Sequence, residues 1–115
     1  MKKPVPLTRP EIDERLRALA SWTYSDGAIR RTYQTDGWRA SLLVTNAIAY
    51  LCEAADHHAD ILVTWPRVSV SLSTHSAGGI TELDFEVAGL IERQMTWKPP
   101  AGSALAGPSE PIVKG

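Results

Sequence analysis

Cysteine, phenylalanine and long apolar runs are scarce in this chain, and charge of one sign is not in excess. One cysteine, Cys52, stands among 115 residues. That excludes an internal disulfide and any zinc cluster built on cysteines. Beside Leu51 in an apolar run, Cys52 reads as a small core residue rather than a reactive thiol. Twelve Lys and Arg against thirteen Asp and Glu give a formal net charge of −1. Blocks of like charge are missing, the short pairs Lys2-Lys3 and Arg30-Arg31 being the basic clusters. Nothing therefore marks a nucleic-acid or membrane surface. The longest apolar stretch, residues 38 to 55, is interrupted by Arg39, Ser41, Thr45, Asn46 and Glu53, so it is no membrane span. The opening "MKKPVPLTRP" lacks the apolar core of a signal peptide, which makes the cytoplasm the expected compartment.

What is present fits one small domain. "TRPE" at residues 8 to 11 is a capping box, with Thr8 and Glu11 each positioned to satisfy the other's backbone N–H. Ile12, Leu16 and Leu19 follow at helical spacing, predicting a first helix to about Ala20. Asp26-Gly27 supplies the positive φ angles of a tight turn, so Trp22–Ser25 and Ala28–Gln34 form a predicted hairpin. A long helix is expected from Trp38 to Ala55. Its apolar residues cover more than one stripe, more than a single sheet can bury, and a second subunit is the economical cover. A second hairpin turns near Pro66-Arg67, and in its second arm Val68, Val70 and Leu72 alternate with serines. "TELD" at residues 81 to 84 is another capping box and opens a last helix carrying Phe85, Ala88, Leu90, Ile91 and Met95. The predicted order is α-β-β-α-β-β-α, an α+β two-layer domain with a four-stranded antiparallel sheet and three helices on one face. Residues 1–97 make up this domain. Residues 98–115, rich in Pro, Gly and Ala, are expected to be a disordered tail, and deletion of residues 101–115 is expected to leave stability and turnover unchanged.

Chemistry concentrates in the three histidines, His57, His58 and His75. Glu53 lies four residues before His57, so on a helix the carboxylate can fix that ring's tautomer. His57 and His58 would diverge by about 100° if both were helical, but they fall where the helix ends. His75 falls at the end of the fourth strand, so the three rings can meet at one rim of the sheet. Three imidazoles could bind zinc, as in a zinc hydrolase. Adjacent histidines, however, do not offer the H-x₃-H or H-x-H pairs that converge on a metal. They can equally be exposed residues at a helix end. Asp84, third in its helix, serves the cap and the dipole on its own account, and Trp65 can equally be a cross-strand packing residue.

The stretch from Glu53 to Asp84 resembles the active-site signature of the pterin-4a-carbinolamine dehydratases. That signature has an acidic residue, three residues, His, His or Asn, then usually Pro, with an aromatic, a His or Trp and an Asp following. Glu53, His57, His58, Trp65, His75 and Asp84 stand at those places. "LSTH" and the helix ending "GLIE" are similar too, and the likeness spans residues 8 to 95. Ala59 departs from the family's usual proline. The resemblance implies removal of water from a 4a-hydroxytetrahydropterin in tetrahydrobiopterin recycling, by acid–base catalysis needing neither metal nor cofactor. It implies His57 and His75 as acids, His58 as base or substrate ligand, and Glu53 as the group orienting His57. Ser73, Thr74, Trp65 and Asp84 are the implied substrate-binding residues. It also implies a homodimer or homotetramer and a link to an aromatic amino-acid hydroxylase. The alternative on the same fold is a non-enzymatic assembly chaperone or a transcriptional coactivator.

Overall fold

The computed structural model describes residues 3–115; Lys2, half of one basic pair, lies outside them. Three helices and four strands follow in the order α1 (Arg9–Leu16), β1 (Thr23–Ser25), β2 (Ala28–Gln34), α2 (Trp38–Ala55), β3 (Asp60–Thr64), β4 (Arg67–Leu72) and α3 (Glu82–Met95). The α+β arrangement expected from the sequence is thus the one observed. Both capping boxes form: the Thr8 amide donates to Glu11 Oε1 at 2.9 Å, and the Thr81 amide to Asp84 Oδ2, also at 2.9 Å. Helix α1 stops earlier than its apolar spacing suggests. The amides of Arg17, Ala18 and Leu19 each bond the carbonyl three residues back. This tighter winding ends the helix and turns Trp22 into the core, where it is buried.

The sheet is antiparallel throughout, with strand order β1-β2-β4-β3. The hairpin β1–β2 turns on Asp26 (φ 48°) and Gly27 (φ 75°), two positive φ values in a row, as its two-residue loop requires. Val68, Val70 and Leu72 of β4 point inward and are fully buried with Ile29 and Tyr33 of β2. Against this face pack Val44, Ile48 and Cys52 of α2, Phe85, Val87, Ala88 and Ile91 of α3, and Ile12 of α1. The serines of β4 take the other face, where Ser69 bonds Thr32 at 3.1 Å and Ser71 bonds Arg30 at 2.8 Å.

One polar group is built into the inner layer. Glu92 of α3 accepts from Trp22 Nε1 (2.9 Å), Tyr33 Oη (2.8 Å) and Arg31 Nε (3.0 Å). Burial pushes the Glu92 carboxyl up, but the three donors and the Arg31 charge outweigh it and hold the group below its usual range. Burial and the bond to Glu92 push the Tyr33 hydroxyl up, so it remains a donor. The cluster ties α3 to the β1–β2 hairpin.

The last residues of the tail make contacts that their composition does not announce. Strand β1 has three residues and β2 has seven, so β1 covers only the start of one β2 edge. The chain end pairs with the far end of that edge, at Gln34 and just beyond it. Lys114 N donates to Gln34 O (2.7 Å), Gln34 N to Gly115 O (3.0 Å) and Asp36 N to Ile112 O (3.1 Å), and Val113 packs against the core. A composition that cannot fold alone is ordered here by an edge that needs partners. Between this segment, α2 and the end of α3 lies an apolar cavity of about 560 Å³, lined by Leu43, Met95, Trp97 and Val113 among others and by no histidine. Among the described residues no helix is long and apolar enough to cross a membrane.

Candidate active site

Four chain segments meet at one rim of the sheet. Strand β3 begins two residues after His58, β4 ends two residues before Thr74, and Asp60 pairs with Ser71 across them. The end of α2 and the start of α3 complete the rim.

Helix α2 is closed by Asp56, which takes the left-handed conformation (φ 53°). The Asp56 amide bonds Glu53 O and the His57 amide bonds Cys52 O, both at 3.1 Å. This six-residue closure satisfies the last carbonyls and swings the following residues off the helical path. Helical spacing therefore no longer applies at His57, and its expected pairing with Glu53 does not form. Glu53 Oε1 meets His58 Nε2 at 2.7 Å instead, with both side chains largely exposed. His57 turns inward, and its Nε2 lies 2.6 Å from Oδ1 of Asp84. The His57 side chain is 12% exposed and that of Asp84 is fully buried.

Asp84 serves two structures at once. It is the third residue of α3 and completes the capping box, as its spacing predicts, and it also receives the Thr74 hydroxyl at 2.8 Å. Thr74 is 4% exposed. Its hydroxyl is engaged with Asp84 and Thr81. Beyond it the chain makes a short 3₁₀ turn, His75–Ala77, closed by Gly78 at φ 70°, and the Thr74 amide bonds Gly79 O at 2.9 Å. This pinned loop presents His75 to solvent, one residue from the Thr74–Asp84–His57 row. Ser73 is half-buried beside it.

Trp65 is not at this rim. It follows Thr64 at the opposite end of β3, its carbonyl accepts from Ser41 near the start of α2 (3.0 Å), and the residue is 68% exposed. It cannot wall a pocket around its own chain's histidines. Ala59, where a proline was expected, keeps its backbone N–H and directs it at the Cys52 sulfur. Burial, the larger effect, raises the Cys52 thiol, and the Ala59 amide lowers it. Proline has no such donor. Thr81 is the site residue that sequence reasoning passed over. "TELD" gave the cap, but nothing local shows that the capping carboxylate faces a histidine. Among the described residues no group of three or more His, Cys, Asp or Glu side chains is arranged to hold a metal ion.

A family profile described as pterin 4 alpha carbinolamine dehydratase matches residues 5–94. The chain belongs to that family. Among its relatives in the pterin-4-alpha-carbinolamine dehydratase family, a protein of Roseiflexus sp. (strain RS-1) is 42% identical over 89 residues, 77% of this chain and 96% of the relative. One of Aquifex aeolicus (strain VF5) is 40% identical over 86 residues, 75% of this chain and 87% of the relative. Both carry the name "Putative pterin-4-alpha-carbinolamine dehydratase". A crystal structure described as a transcriptional coactivator/pterin dehydratase from Brucella melitensis superposes with a TM-score of 0.71 at 35% identity. It covers 76% of this chain and 95% of its own. The segment after Met95, which includes the β2-edge strap, lies outside the family match.

Proposed function

We propose that this protein is a 4a-hydroxytetrahydropterin dehydratase, a hydro-lyase that releases water from the 4a-carbinol to give the quinonoid dihydropterin. The observation that carries the reading is His57, held on the buried carboxylate of Asp84 at the rim where His58 and His75 are also exposed. Hydroxide leaves poorly, so an acid must protonate the departing oxygen while a base takes the ring N–H proton. Imidazoles do both near neutral pH.

In this reading His57 and His75 approach the 4a-hydroxyl as acids. His58, held by Glu53, acts as base or substrate ligand, and Ser73 recognises the pterin edge. The work would be done by a homodimer or homotetramer in the cytoplasm, recycling pterin beside an aromatic amino-acid hydroxylase. Support for assembly comes from Trp38 and Tyr50, which lie on α2 at 55% and 72% exposure. A second reading, transcriptional coactivation, draws on the description of the Brucella melitensis structure, and the same helix face would serve it.

The decisive experiment supplies freshly generated 4a-hydroxytetrahydropterin and follows quinonoid dihydropterin by absorbance. Purified protein should accelerate its formation well beyond the spontaneous rate, with turnover unchanged by chelators. No acceleration, or activity that tracks bound zinc, overturns the proposal.

A further inference from the structure

A row of hydrogen bonds behind His57 has a single possible direction. The Leu83 amide donates to Thr81 Oγ1 at 3.2 Å. Thr81 Oγ1 and Thr74 Oγ1 are 2.8 Å apart, and Thr74 Oγ1 donates to Asp84 Oδ2, also at 2.8 Å. A hydroxyl has one proton to give. Thr74 spends its proton on the carboxylate, so it accepts from Thr81, and Thr81 accepts from the helix N-terminus. Every proton in the row points toward Asp84. The Thr81 amide adds a second donor to Oδ2 at 2.9 Å, which leaves Oδ1 for His57 at 2.6 Å.

A carboxylate offers acceptors only, so the ring nitrogen facing it, Nε2, carries a hydrogen. The other nitrogen, Nδ1, bonds none of the described residues, yet among them no buried side-chain nitrogen or oxygen lacks a partner. Nδ1 is therefore the accessible edge of the ring.

We infer that Thr74 and Thr81 are positioning residues that lock His57, through Asp84, in the Nε2–H tautomer and make Nδ1 the nitrogen that exchanges a proton with substrate. The chemistry closes on this choice. In the cationic ring both nitrogens carry hydrogen. Nδ1–H passes its proton to the 4a-oxygen as the C4a–O bond breaks and its electron pair leaves with the water. A separate base takes the pterin N–H proton, whose electron pair forms the new ring double bond. The imidazole left behind is already the Nε2–H form that Asp84 holds, so no hydrogen bond has to be remade. With the opposite tautomer, Nδ1 would keep its hydrogen and Nε2 would confront the carboxylate with a lone pair. The kinetic consequence rests on the dehydratase reading; the tautomer does not.

The test uses the full-length protein with ¹⁵N-labelled histidine. Long-range ¹H–¹⁵N correlation spectra of the neutral ring should show His57 with hydrogen on Nε2. Thr74→Val, which keeps the side chain's shape but removes one of the two donors that fix Oδ2, should free the Asp84 carboxyl to turn away from His57 and so give a mixed tautomer population. It should also lower kcat about ten-fold or more, with KM within about two-fold of the parent. Thr74→Ser should restore both the spectrum and kcat. A parent spectrum with hydrogen on Nδ1 overturns the inference even if the valine variant does not fold. So does a valine variant with parental tautomer and parental kcat. An inactive parent that shows the Nε2–H form and its loss in Thr74→Val would instead sink the dehydratase reading and leave the lock standing.

Discussion

His57 and Asp84 are 27 residues apart in the chain and 2.6 Å apart at the rim of the sheet. Their meeting joins the exit of one helix to the cap of another. Asp84 thereby links the fold's stability to the histidine's orientation, and the two roles can be separated by substitution.

Asp84→Asn should do so. Its amide oxygen can still accept from Thr74 and the Thr81 amide, which then turns the NH₂ group toward His57 and forces a lone pair onto Nε2. Stability should fall by about 1 kcal/mol, while kcat falls about 10²-fold or more. Glu53→Gln, at an exposed pair, should change kcat by less than about three-fold. Steady-state kinetics beside thermal melts of the two variants check the contrast. Equal losses would return the orienting role to Glu53.

The Glu92 cluster predicts acid sensitivity of stability. The Glu92 carboxyl is lower in the folded protein than its ordinary value of 4.5. A depressed carboxyl contributes stability that is complete above the unfolded value and is lost as pH falls through the folded one. Urea unfolding should therefore show a loss below about pH 4.5 that Glu92→Gln largely abolishes. At pH 7 the same variant should be less stable by about 2 kcal/mol, because Arg31, whose side chain is 9% exposed, loses its counter-charge. A parent and variant with parallel pH profiles would contradict this.

Removal of residues 101–115 should destabilise the protein, contrary to what their composition suggests. The truncation reopens the β2 edge and strips Val113 from the core. A cost of about 1–2 kcal/mol should lower the melting temperature by roughly 5–10 °C. The dehydration rate at low temperature should hold, since the strap lies away from the histidine rim. An unchanged melting curve would mean that the segment does not pack.

Assembly is predicted from the exposed face of α2. Trp38, Leu42, Leu43 and Tyr50 are all open to solvent in the single chain, a grouping that favours symmetric association. Sedimentation should give a dimer or tetramer at micromolar concentration. Leu43→Glu and Tyr50→Glu should shift it toward monomer. A monodisperse parent monomer would refute the prediction.

Much of this architecture was legible along the chain because it depends on neighbours in sequence. The capping boxes at Thr8 and Thr81, the Asp26-Gly27 turn and the valine–serine alternation of β4 are local devices, each with a short-range signature. The sequence by itself also determined that the histidines fall near element ends, and their spacing with Glu53, Trp65 and Asp84 carried the family resemblance. Only the tertiary structure decided which carboxylate each ring meets. A helical i, i+4 rule pairs Glu53 with His57, but one left-handed residue, Asp56, ends the helix and gives Glu53 to His58. Trp65 was placed with the histidines because their spacing matched the signature, and the length of β3 then set it at the far end of the sheet. The tail's composition tells only what it can bury alone, whereas its contacts come from a strand edge 80 residues earlier, where Gln34 bonds Lys114 and Gly115. Pairing between distant segments depends on which backbone groups and side chains the rest of the fold leaves unsatisfied, and no local pattern records that.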